Sequence, residues 1–176
     1  MGGICIKKST VMVTILLLIT LGAVSVTIWA LFFREPTKIL APDYAPQDKE
    51  AYAETILDDS DNKLDAPEGG GAVSLSYANQ VAVELHSCNV SLFFANPSKS
   101  NQDIVLQIVI QDQVIVQSGT LSPGYQLKNL ELLQEAGKML SPGGYEGKFV
   151  VLYYNRETGE KAIVNTEIPV QITVLE

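Results

Sequence analysis

Apolar residues follow two incompatible patterns along this chain. From Val11 to Phe33 they run almost without a break, and the polar side chains inside the run are Thr14, Thr20, Ser25 and Thr27. From Ala72 onward they recur at every second position. The continuous run predicts a helix in lipid: at about 1.5 Å of rise per residue it measures roughly 34 Å, enough to cross a ~30 Å hydrocarbon layer with some tilt. Each of its four hydroxyls can bond back to the helix backbone. Trp29, Phe32 and Phe33, beside Arg34, fit the lipid-water boundary at the downstream end. A cleaved signal peptide would have an apolar core of about 7 to 15 residues and a small-x-small site, whereas this run is longer and ends Trp-Ala-Leu-Phe-Phe, so it predicts an uncleaved anchor. Lipid attachment finds little support, since Cys5 precedes the run and Met-Gly-Gly-Ile-Cys-Ile lacks Ser or Thr at its sixth position.

The second pattern has the period of a strand. Ile104, Leu106, Ile108 and Ile110 alternate with Val105, Gln107, Val109 and Gln111, and Ile168, Val170, Ile172 and Val174 alternate with Glu167, Pro169, Gln171 and Thr173. Successive side chains on a strand point to opposite faces, so each set of four builds one buried face of an antiparallel sheet. Further strands are expected at Val73–Tyr77, Val81–His86, Asn89–Ala95, Val114–Ser118, Gln126–Leu132 and Tyr145–Tyr154, separated by turn chemistry such as Asn96-Pro97-Ser98 and Glu157-Thr158-Gly159-Glu160. Only Leu133–Leu140 looks briefly helical. The spacing predicts an all-β, immunoglobulin-like antiparallel sandwich of about seven or eight strands, tethered to one N-terminal transmembrane helix.

Between the two patterns, residues 34–71 carry Pro36, Pro42, Pro46 and Pro67, few apolar side chains and a closing Gly69-Gly70-Gly71. Gln47–Leu57 could form a few helical turns but has little to pack on, so the whole stretch reads as a flexible linker. The expected layout is a cytoplasmic head at 1–8, the membrane helix at 9–33, the linker at 34–71 and the sandwich at 72–176. Net charge is −8, and ten acidic against four basic residues put −6 of it in the linker. Such a tether will not seek nucleic acid or an anionic lipid surface. Lys7, Lys8 and the α-amino group flank one end of the helix and Arg34 and Lys38 the other. The purely basic head against an acidic body favours head inside and body outside. Cys5 and Cys88 would then lie on opposite sides of the membrane and could not pair, so the outer domain must hold without a disulfide.

Leu121-Ser122-Pro123-Gly124-Tyr125 recurs as Leu140-Ser141-Pro142-Gly143-Gly144-Tyr145, each copy just ahead of a strand. The second copy resembles the corner element of fibronectin type III and immunoglobulin-like sandwiches. The resemblance implies that the Tyr145 hydroxyl returns to the backbone of the preceding turn. A Cys-Trp-Cys core of the antibody kind is absent. The whole layout also resembles small membrane-anchored surface proteins of Gram-positive bacteria, which implies a place outside the cytoplasmic membrane and no particular activity. No Leu-Pro-x-Thr-Gly sorting motif is present.

Candidate chemistry is sparse. His86 is the single histidine, which removes His-pair metal sites and most His-based acid-base arrangements unless a second subunit contributes. Cys88 shares strand parity with Val90, Leu92 and Phe94 and is expected as a small core residue. There is no Gly-x-Ser-x-Gly elbow and no phosphate loop. Asp58, Asp59, Asp61, Asn62 and Asp65 could supply oxygens to Ca²⁺, but Lys63 breaks the EF-hand spacing, and solvated linker charge is the favoured account. Asn89-Val90-Ser91 is a formal glycosylation sequon. No catalytic residue, cofactor, metal or small-molecule substrate is expected, and the chain is not expected to be an enzyme.

The sharper signal is on the outer side of the sheet. If Ile104, Leu106, Ile108 and Ile110 face the core, Val105 and Val109 face out. If Tyr145, Phe149, Val151 and Tyr153 face in, Val150, Leu152 and Tyr154 face out. On neighbouring strands these five residues would merge into an apolar patch. Either it binds another protein or a second copy of this chain, or Leu133–Leu140 or the linker covers it. The reading that follows is a membrane-anchored extracytoplasmic interaction or structural module of the cell envelope. The alternative is an accessory subunit of an enzyme, or of a secretion- or conjugation-type envelope complex, with a shared site.

Overall fold

The computed structural model describes residues 8–32, 40–57, 62–66 and 70–176 and, within the N-terminal helix, the side chains of Val11 to Thr27. The chain divides into two compact units, one containing that helix and the other running from Leu40 to Glu176.

Helix α1 (Lys8–Phe32) has 25 residues. Its apolar side chains project without a preferred face: Met12, Leu18, Ile19 and Val26 are 64–70% exposed. Its hydroxyls bond back to the helix, Thr20 donating to the Leu17 carbonyl, Ser25 to Leu21 and Thr27 to Ala23, each at 2.9 Å. Val11–Thr27 measures about 25 Å, and among the described residues no helix is long and apolar enough to cross a membrane. The expected aromatic boundary at Trp29, Phe32, Phe33 and Arg34 lies outside the described side chains.

The second unit is built on strands β1 (Ala53–Thr55), β2 (Ser76–Tyr77), β3 (Gln80–Glu84), β4 (Asn89–Asn96), β5 (Gln102–Ile110), β6 (Gln113–Gln117), β7 (Tyr125–Glu131), β8 (Gly143–Asn155) and β9 (Lys161–Leu175). A strand is found at each place expected from Val73 onward, although Val73–Tyr77 shortens to Ser76–Tyr77. Leu133–Leu140 contributes a single 3₁₀ turn, Ala136–Lys138. The strands form one hydrogen-bonded sheet in the order β1-β7-β4-β3-β9-β8-β5-β6, with β2 paired to β4. This differs from separate antiparallel layers, because β3 and β9 pair in parallel, from Gln80 opposite Gln171 to Glu84 opposite Leu175.

That parallel seam lets the sheet curl onto itself. Phe94 on β4 and Phe149 on β8 are not on neighbouring strands, yet their rings meet edge to face at 5.4 Å. Around them the inward faces of both halves fill one core, with Val83, Val90 and Leu127 from one side and Ile104, Leu106, Ile108, Val151 and Ile172 from the other. Burying side chains of this size contributes roughly 1.5–3 kcal/mol each. β9 leaves β3 beyond Gln171, and its first half is guarded as a free edge. Three residues, Ala162 to Val164, bulge opposite Tyr153 alone, and Pro169, with no N–H to offer, sits two residues before Gln171, whose N–H reaches Asn79.

Two expectations fail locally. Cys88 is exposed, not a core residue: Leu85–Cys88 form the β3–β4 turn, and the left-handed backbone at Cys88 (φ 53°) swings the side chain out before inward parity begins at Val90. His86, the last residue of the expected strand Val81–His86, instead lies in the same turn, exposed, beyond the end of β3 at Glu84. Of the acidic cluster, Asp58, Asp59 and Asp61 lie outside the described residues, and no group of three metal-ligating side chains occurs among the described ones.

The β5–β6 hairpin turns on Gln111 and Asp112, both with positive φ (49° and 62°), the geometry of a type I′ turn, which Asn-Gly fits best. Non-glycine residues there cost roughly 1–2 kcal/mol each before chain entropy is counted. Replacing Gln111-Asp112 with Asn-Gly should therefore stabilise the domain by about 1 kcal/mol. The measurement is a urea midpoint that rises at constant slope; an unchanged or lower midpoint contradicts the turn assignment.

Candidate functional site

The sheet has a second apolar cluster on its other face, made of the five residues expected to point outward. Val105 on β5 lies opposite Leu152 on β8, Val109 opposite Lys148, and Gln107 opposite Val150. Val105, Val109, Val150, Leu152 and Tyr154 come together there as one cluster, and none is more than 7% exposed. The face is therefore not open. Ala41, Ala45 and Val114 pack on it, and the first two belong to the segment expected to be linker.

Leu40–Leu57 is a strap across the second unit, which corrects the expected 34–71 linker and the 72–176 domain boundary. Its apolar contacts are small, and most of its fastening comes from main-chain groups that no hydropathy pattern records. The Ala41 N–H donates to Gln117 Oε1 at 3.1 Å, and the same oxygen accepts from Gln107 Nε2 at 2.7 Å. The Tyr154 hydroxyl donates to the Pro42 carbonyl at 2.9 Å. Lys161 gives its N–H to the Asp43 carbonyl and its ammonium to the Ala41 carbonyl, while the Ala45 N–H donates to Gly159. Further along, Thr120 gives its hydroxyl to Pro46 and its N–H to Asp48, and its carbonyl accepts from the Glu50 N–H. The strap ends in β1, which extends the sheet beyond β7, from Ala53 opposite Leu127 to Thr55 opposite Tyr125.

Two sequence features fit this course. Pro42 and Pro46 have no N–H to leave unsatisfied and a fixed φ, which lowers the entropy lost on laying the strap down. Gly119 permits close approach: a Cβ there would sit 2.9 Å from the Asp48 carbonyl oxygen and 3.0 Å from the Glu50 nitrogen. Its N–H donates to the Glu50 carboxylate. Ala41 adopts a left-handed conformation (φ 48°), a strained one for a residue with a Cβ. The 3₁₀ segment does not reach the face. It lies along β6 instead, where the Leu133 N–H donates to the Ile115 carbonyl.

Tyr145 sits apart from this cluster. Its hydroxyl donates to the Ser141 carbonyl at 2.9 Å and accepts from the Ser141 N–H at 3.2 Å, and the ring packs against the main core. That ties the strand β8 to the turn before it. Tyr125, in the first copy of the repeat, is 39% exposed. A polar cleft opens elsewhere, among Lys49, Gln102, Asp103, Ser122, Asn155 and Arg156. In it, Asp103 Oδ1 is buried without a hydrogen bond, and its charge is met by Arg156 Nε at 3.4 Å.

Burial pushes the Tyr154 phenol up to about 12 from its ordinary 10.0, and the Asp43 carboxylate adds to the effect. The folded chain holds this proton more tightly than the unfolded one. The associated stability is therefore complete below pH 10 and is lost as pH rises from 10 to about 12. In an alkaline titration of tyrosinate absorbance, Tyr154→Phe should remove the phenol that ionises last. It should also cost about 1 kcal/mol by urea unfolding, because the half-buried Pro42 carbonyl loses its donor. A wild-type titration with every phenol ionising together near 10 contradicts the burial.

No family model matches the chain, and no curated protein matches it. Among solved structures, it is similar to AggA, the major subunit of aggregative adherence fimbriae type I from Escherichia coli, at 12% sequence identity and a TM-score of 0.26, over 60% of this chain and 95% of that one.

Proposed function

We propose that this chain is a non-enzymatic, membrane-anchored interaction or structural module of the cell envelope, with its N-terminus in the cytoplasm and its sandwich outside. The observation that carries the reading is α1: over Val11–Thr27 it is apolar around its circumference and exposed, and Thr20, Ser25 and Thr27 bond their hydroxyls into its own backbone. Such a surface suits a solvent that offers no hydrogen bonds. The sequence continues it to Phe33, long enough for a bilayer. The sandwich then works by offering a sheet surface to a protein partner or to a second copy, and the apolar face over β5 and β8, which residues 40–46 cover in this structure, is the surface with the chemistry for it once uncovered.

An accessory subunit with a shared site is the second reading. The Asp103–Arg156 cleft favours it, because a carboxylate oxygen buried without a donor is a place where a partner's group could complete the set.

Protease added to intact cells tests the main reading. The expected result is full-length chain in the membrane fraction, extractable by detergent but not by alkaline wash, with residues 40–176 cut from outside while a cytoplasmic control survives. A chain recovered in the soluble fraction, or a body protected until the cells are broken, contradicts it.

A further inference from the structure

We infer that the strap is a releasable cover, and that the face beneath it is a docking site for an extended, proline-containing peptide of another protein. The inference rests on the module reading and adds how its surface is recognised and regulated.

The first observation is that the strap closes the face without building the core. The main core draws its buried residues from Val81 to Val174, and of the strap only Ala53 packs against it. Residues 40–50 can therefore lift without opening the sandwich, a local opening with its own free energy. Ala41 would relax from its left-handed conformation as they do. The second is connectivity. The compact unit begins at Leu40, so a displacement of the chain from the side of α1 acts on the strap before any strand.

The third is the chemistry of what is left behind. Lifting the strap uncovers Val105, Val109, Val150, Leu152 and Tyr154. Two rims of main-chain groups are freed with them: the N–H groups of Lys161, Gly119 and Thr120 and the carbonyls of Gly159 and Thr120. Donors and acceptors spaced along an apolar strip fit an extended backbone rather than a helix, whose own main chain is already paired. The shallow cover the face now carries is Leu-Ala-Pro-Asp-Tyr-Ala-Pro, with alanines against the valines and prolines whose carbonyls accept bonds. A partner peptide of that character would compete with the strap, which holds the advantage of being tethered in place.

The test uses the purified full-length chain in detergent micelles and a synthetic peptide of residues 40–50, with a scrambled peptide as control. By hydrogen exchange, the amides of Gly119, Thr120 and Lys161, whose acceptors lie on the strap, should exchange together and well before those of Ser118 and Leu121, whose acceptors are Leu106 and Ile104. Ala45→Asp, which puts a charge against the apolar face, should speed the first group alone and raise the affinity for the added peptide at least tenfold over wild type, with the scrambled peptide unaffected. Exchange of both groups at one rate in the wild type overturns the releasable cover, whatever the variant does. A variant with a fast strap that takes the two peptides equally, or neither, overturns the docking site. Each readout is made on the purified chain, so neither depends on where the protein resides, which the protease experiment decides separately.

Discussion

Strands β5 and β8 are apolar on both faces, and much of this structure follows from that. A sheet with one apolar face needs a single cover, and here the curled sheet supplies it, bringing Phe149 and Val151 against the opposite half. The residues that alternate with them, Val150, Leu152 and Tyr154, with Val105 and Val109 beside them, need a second cover. Left in water, each Val or Leu would forgo roughly 1.5–3 kcal/mol, a sizeable share of a domain stability of about 5–15 kcal/mol. The strap answers this at small entropic cost, with two prolines and with carbonyls that accept bonds from Tyr154, Thr120 and Lys161.

The same constraint explains why the chain is pinned where it is. Gly119 lets the strap come close, and Glu50 fastens it there. Gln117 serves both sides, its Oε1 taking one bond from Gln107 within the sheet and one from Ala41 above it. Tyr154 spans apolar and polar surroundings, its ring in the cluster and its hydroxyl on Pro42. These are ties at the rim of a face and not at the centre of the core.

Period-two alternation made the strands legible, because Ile104–Ile110 and Ile168–Val174 each put four large residues on one side. It also sorted the two faces of β8 residue by residue, so the apolar patch could be named before its position in space was known. The Pro-Gly-Gly-Tyr sequence marked the turn to which the Tyr145 hydroxyl returns. The linker was among the candidate covers, but the sequence did not single it out over Leu133–Leu140 or a partner. The strap is acidic, and its contacts run through Ala, Pro and main-chain oxygens, none of which leaves an apolar period. The parallel β3–β9 seam was equally hidden, since hydropathy specifies a strand's faces and not its neighbours. Cys88 misled because parity assumes an extended backbone, and one left-handed residue in a turn breaks it.

The account stands or falls on whether the chain's own strap lies against the outer face of β5 and β8 in solution. Methyl cross-relaxation in the full-length chain measures this directly. Contacts from the Ala41 and Ala45 methyls to the methyls of Val105, Val109, Val150 or Leu152 are the predicted result. Face methyls in contact with water and silent towards both alanines would contradict it.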